Sequence, residues 1–236
     1  MALPKIAKVT HETIVPSTKK KIKFRPFLVK EEKVLILARE SNDQAEMVRA
    51  IIDVIEACVI TKGFSTKNLA TFDIEYIFLC IRGKSIGEDV NLIVTCPDDN
   101  VTTVEHTIYL DEVSIIFDDD HSTQIKINDE FSVQMKYPSI GAVMAADVEN
   151  VSINESLELI ASCIDIIYSD EESFSSADST IEQLVAWIED LEPKHFEGIE
   201  KFFTTMPKLS HTIQVTNPET KVTSDVVLEG LGSFFA

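Results

Sequence analysis

Residues 72–95 read FDIEYIFLCIRGKSIGEDVNLIVT, and two hydrophobic periods meet inside them. From Phe72 to about Ile81 the spacing predicts a helix with almost no polar face, because Ile74, Tyr76, Ile77, Phe78, Leu79, Cys80 and Ile81 leave no side free of apolar groups. Such a helix is buried on several sides, by its own fold or by a partner. From Val90 to Thr95 the chain switches to the two-residue period of a strand. Helix and strand periods side by side within 236 residues predict a mixed α+β protein.

Toward the N-terminus, Ile6 to Val15 and Lys20 to Phe27 read as extended, joined by a turn at Pro16-Ser17-Thr18-Lys19. In the second strand Ile22, Phe24 and Pro26 fall on one face and Lys21, Lys23, Arg25 and Phe27 on the other, which predicts one buried and one wet side. A helix is expected from about Lys30 to Glu40, with Val34, Leu35 and Ala38 as its stripe. Ser41-Asn42-Asp43 breaks it and caps a second helix, in which Met47, Val48, Ile51, Ile52, Ile55 and Val59 recur at three and four residues. Gly63 ends that element.

Toward the C-terminus, strands are expected at Val90 to Thr95, Val104 to Leu110, Ser114 to Phe117, Gln124 to Ile127 and Phe131 to Lys136. Turns are expected at Pro97-Asp98-Asp99-Asn100 and Asp118-Asp119-Asp120-His121. After Tyr137-Pro138 the pattern is helical. Asn154 is read as the cap of a helix reaching Tyr168, with Leu157, Ile160, Ala161, Ile164 and Ile167 on one face. Residues 169–178 read as an acidic loop without periodicity. Ser179-x-x-Glu182 has the form of a capping box and Pro193 suits the first turn of a last helix. His211 to Thr216 and Thr223 to Leu228 read as a closing hairpin. The fold expected is therefore a mostly helical body with an N-terminal hairpin, a central antiparallel β region and a C-terminal hairpin. It forms a single domain over 1–236 with lobes at 1–137 and 138–236. The segment around Cys96-Pro97 echoes that around Asn217-Pro218, either as a duplicated hairpin or by chance.

Charge is unevenly spread. Residues 1–40 hold 10 of the 21 Lys and Arg and 4 of the 40 Asp and Glu, so they carry +6, and the other 196 carry 11 − 36 = −25. A basic arm on an acidic body is a layout for docking, onto the chain itself or onto another acidic surface. A net charge of −19 argues against nucleic acid as the main partner. The N-terminus shows no apolar signal segment and no run approaches the ~20 apolar residues that span a bilayer, so no membrane partner is expected and a cytoplasm is. Cys58, Cys80, Cys96 and Cys163 have no C-x-x-C spacing and read as buried free thiols.

No catalytic signature, phosphate cradle or cofactor box is found, and an absence of cofactor and of catalytic residues is expected. His11, His106, His121, His195 and His211 sit apart in polar segments and read as surface groups. Cys96 and His106 flank a hairpin turn, where zinc ribbons place ligands, but a structural site needs four, and the matching positions of the second hairpin are Asn217 and its neighbours. No metal is expected. Two features point to binding: the basic arm and the aromatic end Leu228-Glu-Gly-Leu-Gly-Ser-Phe-Phe-Ala236, whose phenylalanines either fill the protein's own groove or enter a partner.

Four stretches resemble the family of T-even-like bacteriophage baseplate proteins, which includes a baseplate hub subunit and a hub assembly factor. They are Leu3-Pro4-Lys5 leading to Pro16-Ser-Thr-Lys; Ile22-Lys-Phe-Arg-Pro-Phe-Leu-Val-Lys-Glu-Glu-Lys; Phe72-Asp-Ile-Glu-Tyr-Ile-Phe-Leu with Arg82-x-Lys84-Ser85-Ile86-Gly87-Glu88; and Met135-Lys-Tyr-Pro138 with the closing Gly-x-x-x-Phe-Phe. The resemblance implies a non-enzymatic component of a contractile tail baseplate hub that binds other tail proteins, the hub and tape measure among them. The alternative it leaves open is a transient assembly chaperone absent from the mature virion. It places the protein in the host cytoplasm during assembly and in the virion tail if structural, with self-association also open. The contact residues expected are Phe24, Arg25, Phe27 and Lys30 at one place and Phe234 and Phe235 at another. An enzyme, such as a hydrolase, would instead show a deep pocket with converging His and carboxylate groups.

Overall fold

The computed structural model describes residues 9–145, 152–169 and 171–234. They form an α+β protein that divides into two compact units, residues 9–116 with 208–234, and the described residues of 117–207.

The first unit opens with hairpin β1 (His11–Ile14) and β2 (Lys21–Phe24), turned at Pro16 to Lys19. Ile22 and Phe24 are buried as the alternation requires. The strand stops at Phe24, and there the expected wet face ends too: Arg25 and Phe27 are buried. Three helices follow, α1 (Val29–Ser41), α2 (Gln44–Cys58) and α3 (Thr71–Ile86). The Asp43 carboxylate accepts the Ala45 and Glu46 N–H groups at the start of α2, 2.8 and 3.2 Å away, and Ala50, Ile51, Val54, Ile55 and Cys58 form its buried stripe. Beyond α2 the backbone pairs onto β2, with Arg25 N–H donating to the Cys58 carbonyl and Ile60 N–H to that of Lys23. α3 buries Phe72, Ile74, Ile77, Phe78, Leu79 and Ile81, so its all-round apolar character is met by its own fold. Next come hairpin β3 (Asp89–Thr95) and β4 (Thr103–Tyr109), with Val90, Leu92 and Val94 inward, and strand β5 (Ser114–Ile116).

The second unit is a four-stranded antiparallel sheet with helices. In chain order these are β6 (Gln124–Lys126), β7 (Phe131–Met135), α4 (Ile140–Ala145), α5 (Ile153–Ser162), β8 (Ile164–Ser169), β9 (Ser173–Ser175), α6 (Ile181–Glu189) and α7 (Pro193–Thr204). The strands lie in the order β6-β7-β8-β9. Four expectations change here. The helix read to Tyr168 ends at Ser162, is capped by Ser152 and not by Asn154, and gives way to β8. The acidic stretch supplies β9 on the edge. Thr180 caps α6 through a box closed by Gln183, one residue beyond the pair Ser179 and Glu182. Val133, Ala161, Cys163, Ile164 and Ile199 have no exposed surface in this core. His121 is not a surface group: its ring nitrogens lie 2.9 Å from the Thr205 hydroxyl and 3.0 Å from that of Tyr137, and it packs against Phe202.

The chain then returns to the first unit. Strand β10 (Lys208–Thr216) pairs with both β5 and β11 (Thr223–Glu229), giving the order β11-β10-β5. Because β5 pairs with β10, the closing hairpin belongs with the N-terminal half, and the two units meet at 116/117 and 207/208 along the chain. Gly230, at φ +68, turns the chain into a short 3-10 helix, Leu231–Phe234. The Leu231 N–H there donates to the Glu75 carboxylate at 3.2 Å, and Phe234 is fully buried.

Candidate protein-docking surface

The N-terminus of α1 is fixed by an ion pair inside the protein. Arg25 donates to Glu31 Oε1 at 2.9 Å, to the Pro26 carbonyl at 2.9 Å and to that of Ala57 at 3.0 Å. Glu31 also accepts the Leu28 N–H at 2.8 Å, at the first turn of the helix. Burial alone would raise the Glu31 carboxyl, but the donors on Arg25, Leu28 and Lys30 outweigh it and hold the group down at about 2. This buried pair sets the direction in which α1 leaves the hairpin.

α1 is apolar on two sides. Glu31 and Ala38 face inward, with Leu35 half-buried beside them. Val29, Ile36 and Leu37 sit on the opposite face, at spacings of seven and eight residues, and are exposed. Val29 keeps 80% of its surface in solvent. Lys30 and Lys33 stand exposed among them. Beside this face a groove of about 560 Å³ runs between the start of α1 and the end of α3, lined by Phe27, Leu28, Val29, Lys30, Glu32, Ser85 and Ile86. The Ser85 hydroxyl accepts the Phe27 N–H at 2.9 Å and donates to the Ile81 carbonyl, tying the two walls together. Ile86, 60% exposed, lines the same groove as Val29.

The sequence-expected contact residues separate on this frame. Phe27 and Lys30 meet in the groove. Phe24 and Arg25 lie buried, Phe24 under the hairpin and Arg25 in the ion pair. Phe234 belongs to the core of the first unit, and Phe235 lies outside the described residues. The stripe expected on α1 holds at Leu35 and Ala38 but not at Val34, which is 41% exposed, and that reading missed Val29, Ile36, Leu37 and Ile86. The signal for the first three was a second apolar stripe on α1, whereas Ile86 is the last residue of α3.

A second cavity, of about 310 Å³, brings His11, Glu12, Tyr76, Cys80, Lys84 and Glu88 to one wall of the unit. Burial, first among the causes, raises the Cys80 thiol, so it stays protonated and lacks the thiolate a nucleophile needs. Among the described residues no group of three or more His, Cys, Asp and Glu could hold a metal ion, and no helix is long and apolar enough to cross a membrane.

The chain belongs to the T4 bacteriophage base plate protein family, which it matches over residues 7–236. No curated protein and no solved structure gives a significant match.

Proposed function

We propose that this protein is a non-enzymatic structural component of a contractile phage tail baseplate hub, and that it binds a neighbouring tail protein, the hub or the tape measure, through the outer face of α1 and the groove beside it. Membership of the baseplate family supports the setting. The observation that carries the contact is the outer face of α1, where Val29, Ile36 and Leu37 stand in solvent and Val29 lines one groove with Ile86. Apolar groups gathered on one exposed face mark an interaction site more often than a bare surface. Lys30 and Lys33 within that face select a partner whose apolar stripe is flanked by carboxylates. The contact residues are Phe27 and Lys30 in the groove with Val29, Ile36 and Leu37 around them; Phe24 and Arg25 act beneath, by holding α1 in place.

Co-expression of the Val29→Glu/Ile36→Glu variant with the neighbouring tail proteins tests this. The expected result is at least a tenfold loss of co-elution on size exclusion with an unchanged melting curve. Undiminished co-elution overturns the proposed contact. So does a wild-type chain that uses this face to form a dimer with itself in the absence of any partner.

A further inference from the structure

The turns that close the β3–β4 and β10–β11 hairpins are built alike. In the first, Cys96 N–H donates to the Thr102 carbonyl at 2.8 Å and Asn100 N–H to that of Cys96 at 2.9 Å. In the second, Asn217 N–H donates to the Val222 carbonyl at 2.9 Å and Lys221 N–H to that of Asn217 at 3.0 Å. Proline follows the first residue in each, and the fifth is left-handed, Asn100 at φ 55 and Lys221 at φ 65. The two turns face each other. The Asn217 amide Nδ2 donates to both oxygens of Asp98, at 3.0 and 3.1 Å, and to Asp99 Oδ2 at 2.9 Å. The Thr220 hydroxyl donates to Asp98. Cys96 and Asn217 are both buried.

Structural zinc sites draw two ligands from each of two facing turns, at the first and fourth positions of a C-x-x-C spacing. Those positions here are Cys96 and Asp99 in one turn and Asn217 and Thr220 in the other. We infer that the facing turns form the backbone frame of a four-ligand metal knuckle, which this chain closes with the Asn217 amide in place of an ion. One sulfur of the ligand set is present. The opposing charge is met by hydrogen bonds: donors on Thr220 and Asn217 hold the Asp98 carboxyl below its usual range, and donors on Thr102 and Val101, with Asn217, do the same for Asp99. The turn alone does not make the frame. The N-terminal hairpin has it too, with Lys19 N–H donating to the Val15 carbonyl and Lys19 at φ 56, but there Ser17 donates to Asp73 on helix α3. Pairing two such turns sets their first and fourth positions on facing loops, with Asn217 bonded to Asp99 across the gap. The clasp ties the tip of the closing hairpin to the tip of β3–β4 within one unit.

The test is the Asp99→Cys/Asn217→Cys/Thr220→Cys variant, refolded in zinc and, separately, in cobalt. The inference expects one bound metal per chain, the visible bands of tetrahedral thiolate cobalt, and a melting temperature that falls when a chelator is added. Wild type under the same conditions is expected to hold no metal and to melt unchanged with chelator. A variant that refolds metal-free, that stays insoluble in zinc, or that binds cobalt without those bands overturns the inference, as does stoichiometric zinc on wild type. Asn217→Ala is expected to lower the melting temperature of the metal-free protein, and an unchanged one removes the clasp.

Discussion

Arg25 shows how far a single residue can depart from the pattern around it. By alternation it belongs with Lys21 and Lys23 on the wet side of the hairpin. In the structure it is buried and bound to Glu31. Breaking a buried pair by removing one partner leaves the other charge uncompensated, at about 3–5 kcal/mol. Arg25→Glu is therefore expected to lose several kcal/mol in denaturant melts, through the fold and not through a lost partner contact. Glu31→Gln isolates the pair by pH. The carboxyl is held at about 2 against an ordinary 4.5, so its contribution is present above 4.5 and fades as pH falls toward 2. The stability gap between wild type and Glu31→Gln is expected to be roughly 3 kcal/mol at neutral pH and to close over that window. A gap that stays constant down to pH 2 contradicts the pairing. Asp73, raised chiefly by burial, works in the opposite sense, losing stability as pH rises, and the difference measurement cancels it. Neither the burial of Arg25 nor its partner was legible in the sequence, because the strand's end at Phe24 is decided by the chain beyond α2 pairing onto it.

At the scale of elements, periodicity identified α2 and both terminal hairpins because each has one dominant period, while α3 stood out by being apolar on every side. It failed at 153–169, where Leu157, Ile160, Ala161, Ile164 and Ile167 fit a helical stripe continuously. The β-branched run Ile164-Asp165-Ile166-Ile167 breaks from it because β7 and β9 offer hydrogen bonds on both sides. α7 against β6 supplies a test of packing in this unit. A Cβ at Gly198 would come within 2.7 Å of Ile125 Cγ2, a methyl that cannot swing aside. Gly198→Ala gains about 1 kcal/mol of helix propensity and meets overpacking of about 1–3 kcal/mol. The expected net result is a modest destabilisation in urea, relieved when Ile125→Ala is added. Additive losses in the double variant would show that the two residues do not meet.

Across the whole molecule, the charge segregation read from the sequence takes a particular form. Lys21 and Lys23 pair with Glu12, and Arg25 and Lys30 with Glu31, so much of the arm's charge is answered within the arm itself. Lys30 and Lys33 stand on the outer face of α1, on a body of strong negative charge. This division predicts two kinetic classes. Lys30→Glu/Lys33→Glu is expected to slow association with the partner and weaken its salt dependence, while Val29→Glu/Ile36→Glu is expected to speed dissociation; surface interferometry separates the two. The outer stripe was visible in residues 29–37, yet its exposure was not, since only packing shows which of two apolar stripes the fold consumes.

Quantitative mass spectrometry of purified virions measures the structural role most directly. A hub component is expected at a fixed number of copies per tail, lost together with the hub when Val29→Glu/Ile36→Glu replaces the wild-type chain. Complete, infectious particles that lack the chain would contradict that role and mark it as a factor that acts during assembly and leaves.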